Sequence, residues 1–280
     1  MELFENRRLI IATKHRKESV IAGLLEQELG VRCFVDESFD TDVLGTFDGE
    51  VERELDPVST VREKCLRAMK QNHCDLGVAS EGSFGPHPSM FFINGDDEFL
   101  IFIDTLHNME IIVREISTKT NFNGKQVQNR SDLLEFAQQA GFPSHGLILR
   151  PAKDSYTDMR KGIANQQELL DTYELLQSKY DSVYVETDMR AMHNPTRMAV
   201  IGQAAQKLLV KIKSACPQCH MPGFAVTDAK KGLKCNLCGS PTNSTLCFVY
   251  LCQHCGHCNE ELYPHGKTSE EPTYCDFCNP

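Results

Sequence analysis

The sequence predicts an α/β domain, a mixed central sheet flanked by helices, followed by a small cysteine-rich domain. Short apolar runs such as Leu9-Ile10-Ile11 alternate with segments whose apolar residues recur at helical spacing, the order that builds strand–helix–strand units. Two apolar segments, 99–104 and 109–117, are separated only by Thr105-Leu106-His107-Asn108 and read as an antiparallel hairpin, which makes the sheet mixed. Ten of the thirteen cysteines fall after residue 215, and eight of these form Cys-x-x-Cys pairs. The expected division is an α/β domain over 1–213 and a cysteine-rich domain over 214–280.

Within the first domain, 8–13 reads as a buried strand. A basic loop, Lys14-His15-Arg16-Lys17, follows it and leads into a helix over 18–29, with Val20, Ile21, Leu24, Leu25 and Leu29 as its stripe and Gly30 as its stop. Cations beside helix N-terminal amides oppose the helix dipole but suit a phosphate, so this loop, with Lys14, Arg16 and Lys17, is a candidate phosphate site. A strand over 31–35 leads into an acidic segment, 36–56, containing Glu50 and Asp56. Part of it, 49–53, alternates like an exposed strand. Pro57 opens a helix over 57–71.

The stretch 75–88 begins as an apolar strand and is expected to break into a Glu81-Gly82-Ser83-Phe84-Gly85-Pro86 loop carrying one carboxylate. After the hairpin, Ser131 is the expected cap of a helix ending at Ala140. A strand over 145–150, a helix over 166–180 and a strand over 182–186 come next. A second polar loop, with Arg190, His193 and Arg197, then precedes a long helix over 196–213. Strand, polar loop and helix thus occur twice, the arrangement that sets ligand-binding groups at the carboxyl end of an open sheet.

In the tail, Cys216-x-x-Cys219, Cys235-x-x-Cys238, Cys252-x-x-Cys255 and Cys275-x-x-Cys278 form four knuckles, each able to aim two thiolates at one tetrahedral ion. Four knuckles make two structural four-cysteine sites, and zinc is the ion that suits all-thiolate tetrahedra, giving a double zinc-ribbon domain. The spacing admits both sequential pairing and a cross-braced pairing of first knuckle with third and second with fourth. Cys247 and Cys258 are supernumerary. Such a ribbon region could contact protein or nucleic acid.

Lys and Arg total 29 against 39 Asp and Glu, a net charge of −10, which argues against a protein held to nucleic acid chiefly by phosphate neutralisation. No apolar run approaches the roughly 18 residues that cross a bilayer, so no membrane partner is expected. The N-terminal Met-Glu-Leu-Phe-Glu-Asn-Arg-Arg lacks the form of a signal peptide, and the expected location is cytoplasmic.

The first 90 residues resemble the nucleotide pyrophosphatases that remove non-canonical purine triphosphates, particularly the inosine/xanthosine triphosphatase branch. The parallels are Ile-Ala-Thr13-Lys-His-Arg-Lys17, the helix over 56–69, and Asp75-Leu-Gly-Val-Ala-Ser-Glu81-Gly82. The sequence departs from that pattern at Lys14-His15, where the family has Asn, and at Ser83, where it has a second glycine. The whole chain, with Thr-Asp-Met-Arg-Ala, Asn-Pro-Thr-Arg and the cysteine tail, also resembles a bacterial family known only as a domain of unknown function. That second resemblance brings no activity with it; the resemblance to the pyrophosphatases implies a phosphorylated small-molecule substrate, such as a non-canonical nucleoside triphosphate, hydrolysed with a divalent metal. In that reading Glu81, with Glu50 or Asp56, binds Mg²⁺. Thr13, His15, Lys17, Ser83, Arg190 and Arg197 hold substrate, and His193 approaches as a further catalytic group. The rival expectation is a non-catalytic protein that binds its partner through the zinc ribbons.

Overall fold

A computed structural model describes residues 2–39 and 55–280. The predicted strand at 49–53 and the candidate Glu50 lie outside the described residues. The chain divides into two compact units, Met1–Leu208 and Leu209–Pro280.

The first unit holds two sheets. The larger has the order β2-β1-β3-β4-β5, built from β1 (Arg8–Ala12), β2 (Arg32–Phe34), β3 (Leu76–His87), β4 (Met90–Asp104) and β5 (Met109–Ser117). β1 runs parallel to both neighbours, whereas β3, β4 and β5 are antiparallel, so this sheet is mixed as expected. From β1 the chain passes through α1 (Glu18–Leu29) to β2 on one side. It then returns through α2 (Pro57–Gln71) to β3 on the other. Right-handed crossovers in opposite directions put α1 and α2 on opposite faces. α2 buries Val61, Cys65, Ala68 and Met69 against Ile10, Ala12, Ala79, Ile101 and Ile103.

β3 is the main departure from expectation. The segment 81–86 is not a loop: β3 stays extended through His87 and pairs with β4 from Leu76↔Asp104 to Pro86↔Asn94. The glycines that signalled a turn have another cause. A Cβ on Gly82 would lie 2.3 Å from Glu98 Oε1, so the position needs its missing side chain to let other groups approach the backbone.

The second sheet, all antiparallel, has the order β6-β9-β7-β8, with β6 (Gly124–Val127), β7 (Leu147–Arg150), β8 (Arg160–Ile163) and β9 (Val183–Thr187). α3 (Arg130–Ala140) and α4 (Gln166–Lys179) close over it, packing Leu133, Phe136, Leu169, Tyr173 and Leu176 onto Val127, Leu147, Leu149, Ile163, Val183 and Val185. The cap of α3 is Asn129, which accepts from Asp132 N at 2.9 Å, rather than Ser131. β6 and β8, Gly-Lys-Gln-Val and Arg-Lys-Gly-Ile, are too short and polar to show an apolar run.

α5 (Pro195–Lys213) continues from the first unit into the second. The second unit carries the antiparallel sheet β10-β11-β12, formed by Ala225–Lys231, Thr245–Leu251 and Cys258–Leu262. No helix among the described residues is long and apolar enough to cross a membrane.

Candidate functional site

β1 and β3 are adjacent parallel strands whose onward connections diverge, to β2 on one side and β4 on the other. Between the carboxyl ends of such strands an open α/β sheet leaves its ligand crevice. Ala12 pairs with Ala79, so the residues just beyond, Thr13 to Lys17 and Ser80 to Gly82, stand together at that end.

Lys17 occupies the N-cap of α1 but makes no capping side-chain bond. Lysine is a poor residue for that position, and its side chain is used elsewhere. It is 6% exposed, and its Nζ donates to Ser80 Oγ at 2.8 Å. Burial above all, then the charges of Arg197 and Lys64, push its ammonium down to about 7. Thr13 is buried, and its Oγ1 accepts from His15 N at 3.2 Å. His15 is pushed down to about 2, first by burial and then by the positive charges of Lys17, Arg197, Arg190 and Lys64. His15 is therefore a neutral imidazole among four cations contributed by the first loop, α2, the second polar loop and α5.

Directly opposed residues of an antiparallel pair share a face of the sheet. Glu81 and Ser83 take one face, with Ser83 opposite Asp97. On that face Glu81 is buried and ion-paired to the buried Lys64 of α2, whose Nζ also donates to Ser80 O at 3.3 Å. The other face carries Ser80, Gly82 and Phe84 of β3 against Leu100, Glu98 and Asp96 of β4. Here Arg197, 1% exposed, donates from Nε to Glu98 Oε1 at 2.6 Å and from Nη1 to Met189 O at 2.5 Å. Its guanidinium lies over the Phe84 ring, 5.1 Å from the centroid, and Phe84 stacks on Phe122. Asp96 and Glu98 are fully buried.

Three of the four cations thus have carboxylate partners: Lys64 with Glu81, Arg197 with Glu98, and Arg190 with the buried Asp188, at 2.6 Å. Lys17 has a hydroxyl instead.

Of the candidates, Thr13, His15, Lys17, Glu81 and Arg197 come together, and Arg190 is near enough to act on His15. His193 borders Gly146 and Gly162 in the second sheet's region, and burial pushes the pKa of its imidazole down. Asp56 is exposed and caps α2, accepting from Val58 N at 3.0 Å and Ser59 N at 3.1 Å. Sequence reasoning missed Lys64, Ser80, Asp96 and Glu98. Lys64 sits at helical spacing from Thr60, Val61 and Ala68, all buried, and this placed it on the covered face of α2.

The tail builds the second kind of site. Each knuckle closes in the same way: the residue after the second cysteine donates its N–H to the first cysteine's carbonyl. His220 N bonds Cys216 O at 2.9 Å, Gly239 N bonds Cys235 O at 2.9 Å, Gly256 N bonds Cys252 O at 3.0 Å and Asn279 N bonds Cys275 O at 2.9 Å. Gly239 and Gly256 take the left-handed backbone there, at φ 74° and 73°. The knuckles pair crosswise, Cys216 and Cys219 with Cys252 and Cys255, and Cys235 and Cys238 with Cys275 and Cys278. Across the first group the Sγ–Sγ separations are 3.8 Å (Cys216–Cys255) and 3.6 Å (Cys219–Cys252); across the second they are 3.9 Å (Cys235–Cys278) and 3.7 Å (Cys238–Cys275). A tetrahedron with metal–sulfur bonds of about 2.3 Å has edges of about 3.8 Å, so both groups can hold a tetrahedral ion. Cys247 lies in β11 and Cys258 in β12, outside both groups.

No curated protein matches the chain. Among solved structures it is similar to the crystal structure of protein VC0702 from Vibrio cholerae, at 14% identity and a TM-score of 0.32 over 73% of this chain and 94% of that one. The family model of a domain of unknown function, DUF6671, matches residues 64–280, from Lys64 through the last cysteine knuckle. That is well over half of the sequence, and the chain belongs to the DUF6671 family.

Proposed function

We propose that the first unit binds a phosphorylated small molecule at the carboxyl ends of β1 and β3 and hydrolyses it with a divalent cation, non-canonical nucleoside triphosphates being the first class to test. The observation that carries this reading is Lys17, a buried ammonium held on a hydroxyl rather than a carboxylate, beside a neutral His15 and with three further, carboxylate-paired cations in its neighbourhood. An anion is the ligand that such a field favours, and the first amides of α1 add to it. The resemblance of Thr13 to Lys17 and of Glu81-Gly82 to the inosine/xanthosine triphosphatase branch supports the same substrate class. Lys17, His15 and Thr13 hold phosphate, while Arg197 and Arg190 hold the remainder of the substrate. Glu81, positioned by Lys64, orients the attacking water, and the cation neutralises developing charge.

In the tail, zinc fills both four-cysteine groups. Closed sites of this kind are structural, because catalysis needs an open coordination position. Metal binding supplies much of the folding free energy of so small a unit. Such thiolates stay reduced in the cytoplasm, where we place the protein. Contact of the ribbon region with protein or nucleic acid is the secondary reading, supported by Leu237 and Phe277, exposed within two knuckles of one cysteine group.

The test is incubation of purified protein with a panel of nucleoside triphosphates and Mg²⁺, with pyrophosphate and phosphate release as readout. Turnover that is lost in Glu81→Gln and Lys17→Met supports the reading. Absence of turnover for every triphosphate, together with no thermal shift by any of them, overturns it.

A further inference from the structure

We infer that Asp96 and Glu98 form a divalent-cation site, suited to a hard, oxygen-seeking ion such as Mg²⁺ or Mn²⁺. The inference rests on the reading above and gives that site its cation ligands.

The two carboxylates lie two residues apart on β4 and project to one face of the sheet, opposite Phe84 and Gly82. Both are 0% exposed. Glu98 Oε1 is taken by Arg197 at 2.6 Å. Among the described residues, neither Asp96 oxygen nor Glu98 Oε2 has a donor from any other residue, the two carboxyl groups lying within hydrogen-bond reach of each other alone. A carboxylate buried without donors costs several kcal/mol and persists only when a proton or a cation neutralises it. Three donor-free oxygens from two neighbouring side chains therefore point to an ion. A shared proton serves the same purpose when no ion is present, and burial followed by the Glu98 charge holds Asp96 up at about 8.

The ligand chemistry and the charge count agree. Small hard cations are held by one or two carboxylates and keep their other positions for water and substrate phosphate. Asp96 and Glu98 against Arg197 leave one net negative charge, and a divalent ion reverses it to one positive, in the same neighbourhood as Lys17, whose charge acts on Asp96. The neighbouring carboxylates are committed: Glu81 to Lys64, Asp188 to Arg190, and Glu115, opposite Glu98 on β5, to Lys207.

The test is an electron paramagnetic resonance titration of Mn²⁺ into the full chain with its cysteine sites zinc-filled and no nucleotide present. The expected result is one Mn²⁺ bound per chain, displaced by Mg²⁺, with affinity at least tenfold weaker in Asp96→Asn, whose thermal midpoint is equal to or above that of the wild type. Glu98→Gln provides a second variant with the same expected loss. Failure of the wild type to bind Mn²⁺, or undiminished binding in folded Asp96→Asn and Glu98→Gln, overturns the site, even if triphosphates are hydrolysed. Mn²⁺ binding lost in both variants supports the site, even if no triphosphate is turned over.

Discussion

Lys64 and Glu81 are a buried ion pair, with side chains 9% and 4% exposed. Removing one member of such a pair strands the other charge, at a cost of about 3–5 kcal/mol, whereas replacing both with apolar groups is often neutral. Glu81→Leu, which strands the buried Lys64 ammonium, is therefore expected to lower stability by about that amount in urea unfolding, and Lys64→Met/Glu81→Leu to recover most of it. Equal losses in the single and double variants would contradict the pairing. Asp96 has the opposite character. Its folded-state value, about 8, lies above its ordinary 3.8. Between those values the folded chain keeps a proton that the unfolded chain releases, so folding becomes less favourable as pH rises through the window. Glu98, Arg197 and Lys17 are the charges that act on it, and they are common to wild type and Asp96→Asn. With the cysteine sites zinc-filled and no other divalent ion present, the thermal midpoint of Asp96→Asn is expected to gain on the wild type from about pH 5 to about pH 8. A constant difference would contradict this. At this scale the sequence exposed Thr13, His15, Lys17 and Glu81 through their place after apolar strands. It hid Asp96 and Glu98, because a charged triplet heading an apolar run reads as a solvated strand end until its partner strand is known.

Helices were legible because stripe, start and stop agree locally: Pro57 opens α2, and Gly30 and Gly141 close α1 and α3, whereas the caps, Asp56 and Asn129, were not read as such. β3 was legible only to Ser80, since the pairing that keeps 81–87 extended comes from β4, and the reason for Gly82 lies in Glu98 and Arg197, far along the chain. β6 and β8 gave no local signal because sheet partners, rather than their own residues, define them. Knuckle spacing revealed the ligands, but their pairing is a tertiary property. The crosswise arrangement has a clear consequence for metal content. Cys219→Ser/Cys252→Ser removes two ligands of one ion and is expected to leave about one zinc per chain by elemental analysis. Cys219→Ser/Cys275→Ser disables both sites and is expected to leave roughly none. Loss of both ions from Cys219→Ser/Cys252→Ser as well would indicate sequential pairing instead.

In the molecule as a whole, DUF6671 covers 64–280, so the family match includes α2 from Lys64 onward, β3 and the polar loop before α5 as well as both cysteine groups. The first unit combines a mixed sheet, in which β1 runs parallel to both its neighbours, with a second antiparallel sheet that the sequence did not announce. The residues around Lys17 come from segments as distant as Thr13 and Arg197, and only the fold brings them together. The central claim is that this cluster is an anion site centred on Lys17. Calorimetric titration of inorganic pyrophosphate, with Mg²⁺ present, into wild type and Lys17→Met tests it most directly. Loss of a charge-assisted contact worth about 1.5–3 kcal/mol is expected to weaken binding roughly 10- to 100-fold. A wild type that does not bind pyrophosphate, or a Lys17→Met variant that binds it equally well, would contradict the claim.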